Sequence, residues 1–276
     1  MAYLRSFGIG ALVARAALGW VRHDPKAGEL RRTNFHGRTV TLAGGPALAV
    51  GATVGAASGA PTGRLAAAAV TAGAVSGAVG FYDDIVGNRP EQKAAKGFAG
   101  HLGALREGRV TSGLVKIAGV GAAGLAASAL IGSGRRTRAG RGLDVLLGAG
   151  VIAGTANLLN LLDLRPGRAI KAGLIVGAPL AVGRNAPMAA GTLGAGAALL
   201  PADLNEEIML GDAGANALGA LLGVALVTRS GTAGRAAALT VLAALTAASE
   251  KVSFTKVIQD TPWLRTLDEF GRRPPA

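Results

Sequence analysis

Four polar stretches interrupt a chain that is otherwise apolar, and each carries side chains suited to handling phosphate. Asp83 and Asp84 stand side by side where the apolar run Leu65 to Tyr82 stops, with Arg89, Lys93, Lys96 and His101 behind them. An aspartate at the centre of a bilayer costs about 3 kcal/mol, so acids beside apolar segments mark interfaces or functional cavities. A solvated helix end is the plain alternative for this pair. Asn157, Asn160 and Asp163 recur every three residues, which puts them on one face of a helix near its end. On an apolar helix such groups are expensive unless they line a cavity or make a polar contact with another helix. Asp212 stands among glycines at the start of an apolar run. It suits Mg²⁺, which takes one or two carboxylates plus waters and substrate phosphates, and it equally suits an N-cap.

Ahead of these lies a basic stretch with Arg31, Arg32 and Arg38, followed by Gly44 and Gly45. Arginines bind phosphate through two parallel hydrogen bonds, and glycines let backbone N–H groups approach it. The same stretch is also what a positively charged cytoplasmic loop looks like. His101 taken alone is more often a hydrogen-bonded loop residue than a catalytic one. Acids on three helix ends, basic loops and an apolar body together suit phosphoryl transfer at a membrane surface. The donor would be soluble and phosphorylated, and the acceptor would be carried by a lipid. Mg²⁺ would neutralise the phosphates, basic side chains would position them, and one aspartate would act as base.

The elements that must position these residues are legible from composition. Half of the 276 residues are hydrophobic and 16% are charged, values that indicate an all-α, polytopic membrane protein. The 44 glycines and many alanines suit close helix packing in lipid. There is no cysteine, which excludes disulfides and thiolate chemistry. The net charge of +13 fits basic loops beside spans and anionic headgroups. With aromatics so sparse, nucleic acid is not an expected partner. Ser6 to Val21 carries Arg15 without a cleavage site soon after, and is read as a retained first helix.

Apolar runs bounded by charge or Pro/Gly clusters predict about nine helices, near 5–21, 40–60, 65–82, 112–132, 142–162, 168–183, 187–202, 213–228 and 234–250. The 168–183 and 187–202 pair also fits a single re-entrant unit. With nine spans, all four polar stretches and most basic residues fall on one side, which marks it as cytoplasmic in a multi-pass plasma-membrane protein. Arg135, Arg136, Arg138 and Arg141 break that trend on the other side. Residues 1–250 form the membrane domain, and the polar tail 251–276 is expected at or just below the membrane surface.

The segments GFYDDIVG, KGFAGHLGAL, ANLLNLLDL and MLGDAGANALG resemble, in order, the cytoplasmic motifs of the polyprenyl-phosphate N-acetylhexosamine-1-phosphate transferases. GRTVTLAGG fits a more variable loop of that superfamily. The resemblance runs from about Arg31 to Gly219 with the motifs in the right order. It implies an Mg²⁺-dependent enzyme that moves a phospho-sugar from a UDP-sugar to a polyprenyl phosphate for cell-envelope glycan synthesis, and it allows a homodimer. Asp83 and Asp84 match the paired aspartates implicated in metal or lipid-phosphate handling and proton abstraction. Asp163 closes the Asn-x-x-Asn-x-x-Asp segment begun by Asn157 and Asn160, and Asp212 matches a magnesium ligand, with Asp84 as its partner. Lys93, Lys96, Arg38 and His101 become substrate contacts.

The departures are specific. Pro166 stands where the family has a second acid, Met209 replaces an aromatic associated with the base, and the late region Ser249 to Phe254 lacks histidines. The missing histidines argue against UDP-MurNAc-pentapeptide as donor. A catalytically altered relative that binds polyprenyl lipid or acts as a scaffold is the alternative.

Overall fold

The computed structural model describes residues 1–87, 89 and 97–274, without the side chains of 97–99, 101 and 102. These residues are almost entirely helical. In chain order the helices are α1 (Ala2–His23), α2 (Gly44–Ser58), α3 (Gly63–Val86), α4 (Gly97–Arg106), α5 (Ser112–Ile131) and α6 (Arg138–Leu162), then α7 (Arg168–Gly177), α8 (Ala186–Leu204), α9 (Gly211–Val227), α10 (Thr232–Ser249), α11 (Phe254–Asp260) and α12 (Pro262–Glu269). A small antiparallel hairpin, β1 (Arg31–Thr33) and β2 (Thr39–Thr41), joins α1 to α2.

Each of the nine apolar runs holds a helix, α1–α3 and α5–α10. Five of these, α1, α3, α5, α6 and α10, are long and apolar enough to cross a membrane. The others differ for physical reasons. At 15 and 17 residues, α2 and α9 rise roughly 22 and 25 Å against about 30 Å of hydrocarbon. The run 168–183 breaks after α7, where Pro179 has no N–H to continue the ladder. Thr62, Thr111 and Thr137 accept from amides of the first turn and start α3, α5 and α6, as N-caps do.

The bundle is built around α9, which is buried at every position from Ala213 to Ala225. α2, α3 and α6 pack against it, and the approach is close enough that small residues are required. A Cβ on Gly80 would strike the Asp212 backbone, and one on Gly219 would strike the backbone of Thr155 and Ala156. A second junction forms where Gly10 of α1, Gly55 of α2 and Gly191 of α8 meet backbone to backbone. Without a hydrophobic drive between helices in lipid, such contact supplies the association energy.

Gly80 faces Asp212 while Gly73 faces Leu221, and Gly223 faces Ile152 while Gly219 faces Ala156. α3 and α6 therefore both run antiparallel to α9. The C-terminal ends of α3 and α6 meet the start of α9 at one end of the bundle, here the acid end. Their N-terminal ends meet the close of α9 at the other.

Within the tail expected at the membrane surface, residues 251–274 fold back as α11 and α12 over the acid end. Asp268 takes two hydrogen bonds from Arg168, at 2.8 and 2.9 Å, and one from Arg272 at 2.9 Å. Lys171 donates to the carbonyls of Leu267, Asp268 and Phe270.

Candidate active site

Asp83 and Asp84 do not follow a helix; they are part of one. α3 continues through them to Val86, one turn beyond the expected stop at Tyr82, because both carboxylates find partners there. Asp83 Oδ2 accepts from Lys116 Nζ at 2.7 Å. Asp84 accepts from the backbone N–H groups of Asp212 and Ala213, each at 2.9 Å. That places a carboxylate on the positive N-terminal end of α9, where free amides and the helix dipole favour an anion. Gly211 makes the seat: its φ of +59° suits glycine, and a Cβ there would lie 2.6 Å from Asp84 Oδ1.

Lys116 also donates to Asp212 Oδ2, so one ammonium holds two carboxylates from different helices. All three side chains are mostly shielded from solvent. The Asp212 main-chain oxygen accepts from Asn216 at 2.7 Å, and Arg32 of the hairpin reaches the Asp84 carbonyl at 3.3 Å. Asp212 is thus not the side-chain N-cap of its helix; Asp84, from α3, performs that role.

Asp163 lies just past the end of α6 and near the same cluster. Its carboxyl is pushed well above the usual range, first by desolvation and then by the charges of Asp203, Asp212 and Asp84. Asn160 is half-buried one turn before it. Asn157, by contrast, donates to Thr246 of α10 at 3.0 Å, the polar helix contact that its apolar surroundings allow.

A cavity of about 220 Å³ opens beside Asp163, with Phe35, Arg165, Pro166 and Met209 in its wall. The Arg165 guanidinium sits 4.2 Å from the centroid of the Phe35 ring, within range of a cation–π contact. Pro166 and Met209, two of the departures from the transferase pattern, therefore both border this one small space.

Arg38 is engaged in closing this end of the bundle. It donates to Glu206 Oε1 and to the Pro274 carbonyl, both at 2.9 Å. Glu206 also accepts from Asn34 and pairs with His36 at 2.9 Å. Burial alone would raise the Glu206 carboxyl, but the His36 and Asn34 hydrogen bonds and the Arg38 charge outweigh it and hold it below its ordinary value. Lys93, Lys96 and the His101 side chain lie outside the described residues; His101 belongs to α4.

Two side chains central to these contacts escape a reading of the sequence. Lys116 sits five residues into an apolar span, and a buried lysine in such a position is itself a signal. Glu206 is flanked by Asn205 and Glu207 and had nothing in its spacing to single it out.

A second, open groove of about 710 Å³ lies between α1, α2 and α3 and is almost wholly apolar, with Trp20, Leu30, Val54, Phe81 and Ile85 among its walls. Phe81 and Ile85 in its wall lie within one helical turn of the Asp83-Asp84 pair on α3. No protein-family model matches the chain, and no curated protein gives a significant sequence match.

Proposed function

We propose that this protein transfers a phospho-sugar from a nucleotide-sugar, of the UDP class, to a polyprenyl phosphate at the cytoplasmic face of the plasma membrane, with Mg²⁺. The observation that carries this reading is the meeting of Asp83 and Asp212 on one cationic atom, at the end of a bundle with five membrane-length helices. The order of the four motifs along the chain supports the same reaction class.

The donor set fits Mg²⁺, which combines one or two carboxylates with waters and phosphate oxygens. Asp83 and Asp212 would hold it. Asp84 already has an α9 amide on each oxygen, so it sets the register of α3 on α9 and brings the other two carboxylates together. When bound, the ion neutralises phosphate charge. Lys116 adds a second positive charge at the same place. Asp163, with its carboxyl shifted upward, is suited to exchanging a proton with a phosphate oxygen. The apolar groove beside Phe81 and Ile85 takes the start of the prenyl chain, and the cavity at Phe35 and Arg165 takes part of the donor.

The test is a donor panel with purified protein, radiolabelled UDP-sugars, and undecaprenyl or decaprenyl phosphate, with and without Mg²⁺. The expected result is labelled lipid from one sugar, abolished by Asp83→Asn and Asp212→Asn. Undiminished turnover in both variants would sink the mechanism. A lipid-binding scaffold is the second reading, favoured by Pro166 and Met209 in the wall of the small cavity. Mg²⁺-dependent binding of a nucleotide-sugar would count against it.

A further inference from the structure

The end of the bundle opposite the carboxylates holds a second cavity, of about 700 Å³, with Arg64, Arg141, Arg184, Arg229 and Arg235 in its wall. The arginines come from five places: the starts of α3, α6 and α10, the turn before α8 and the close of α9. Arg64 lies 19 residues from Asp83 on α3, roughly 28 Å along the helix. This is the region where the basic loop 133–141 broke the charge asymmetry of the sequence.

What marks the cavity is its shortage of counter-charge. Arg64, Arg141 and Arg184 are exposed and in no ion pair among the described residues. Arg229 donates to the Leu180 carbonyl at 2.8 Å. Arg235 is buried yet donates only to carbonyls, those of Ser230, Asp144 and Val227. The Asp144 carboxylate close by is occupied by the hydroxyls of Ser133, at 2.5 Å, and Thr232, at 2.6 Å.

A second feature points the same way. α10 starts at this cavity, where Ser230 and Gly231 form part of the wall, and its first turn has no side-chain cap. Its amides and dipole therefore present a partial positive charge beside the guanidiniums. Guanidinium forks with free helix amides are the donor set for phosphate oxygens.

We propose that this arginine cavity is a phosphate-binding site, distinct from the carboxylate site and on the opposite side of the membrane. It takes a phosphate group carried by an anionic lipid headgroup or by a soluble phosphate. The site does not depend on the transferase reading.

The test uses the full chain in neutral detergent, titrated separately with phosphatidylglycerol in mixed micelles, with phosphatidylcholine as control, and with inorganic pyrophosphate. The variant is Arg64→Gln with Arg141→Gln and Arg184→Gln, all exposed positions. Expected is preference for phosphatidylglycerol over phosphatidylcholine by tenfold or more, lost in the triple variant and only partly kept when the same arginines become lysine. Binding of pyrophosphate without the lipid preference would equally support the site and identify its ligand as soluble. No binding of either probe, or an equal loss on changing Arg106 and Arg109 to Gln at the acid end, would overturn it.

Discussion

The ammonium of Lys116 lies 2.7 Å from the Asp83 carboxylate and ties α5 to α3 across 33 residues of sequence. Because the same atom also serves Asp212, it separates two carboxylates that would otherwise repel. Lys116→Met removes the cation that bridges them among the described residues. Breaking a shielded ion cluster from one side costs about 3 kcal/mol, so the variant should melt earlier in EDTA. Mg²⁺ should restore much of the loss, because it can take the position between Asp83 and Asp212. A melting temperature indifferent to Mg²⁺ in the variant would remove these two residues as metal ligands.

The Asp84 carboxylate caps a helix to which it does not belong. Asp84→Asn keeps the shape and removes the charge, and should cost about 1 kcal/mol. The local signature is faster hydrogen exchange at the Asp212 and Ala213 amides, with α10 unaffected. Gly211→Ala should show the same signature more strongly, since it combines a positive φ with a methyl group pressed on Asp84.

These two relationships show what the sequence made legible and what it did not. The acids were visible because aspartate is costly next to apolar runs, and the helices were visible because their runs are long. Which acid partners which is a matter of how α3 and α9 are rotated against each other, and a single sequence does not encode that rotation in any spacing. The motif resemblance places Asp84 beside Asp212 as a candidate ligand, but it gives no sign of the two α9 amides that the Asp84 oxygens accept from. Asn157 and Asp163 share a helix face, but a partner on α10 engages the first while the second sits beyond the helix end. The hairpin at 31–41 was hidden for another reason: its strands are three residues long, too short for alternation to register.

Glycines with similar neighbours in sequence should respond oppositely to the same substitution. Gly219→Ala drives a methyl group into the α6 backbone and should cost about 1–3 kcal/mol. Gly121→Ala in α5 meets nothing within 4 Å and should be neutral or stabilising by up to about 1 kcal/mol. Thermal unfolding of the two variants in one detergent decides it. Equal losses would contradict the close approach of α6 and α9.

The docking of the tail should depend on acid. Burial raises the Asp268 carboxyl, but hydrogen bonds from Arg168 and Arg272 outweigh it and hold it below its ordinary 3.8. A carboxyl depressed in the folded state contributes stability that is full above its unfolded value and is lost as pH falls through the folded one. The tail should therefore stay docked above pH 4 and release below it. Trp263 emission in a Trp20→Phe background reports the change. Asp268→Asn, which mimics the protonated carboxyl, should release the tail at every pH.

The Arg168–Asp268 pair spans 100 residues, and this separation sets a schedule for the ribosome. At about 5–20 residues per second, a newly made Arg168 waits roughly 5–20 seconds for the side chain that will neutralise it. Through that interval the guanidinium stands at the growing bundle's edge with only water or lipid headgroups to satisfy it. Until then the acid end depends on its surroundings for the charge balance that Asp268 later supplies.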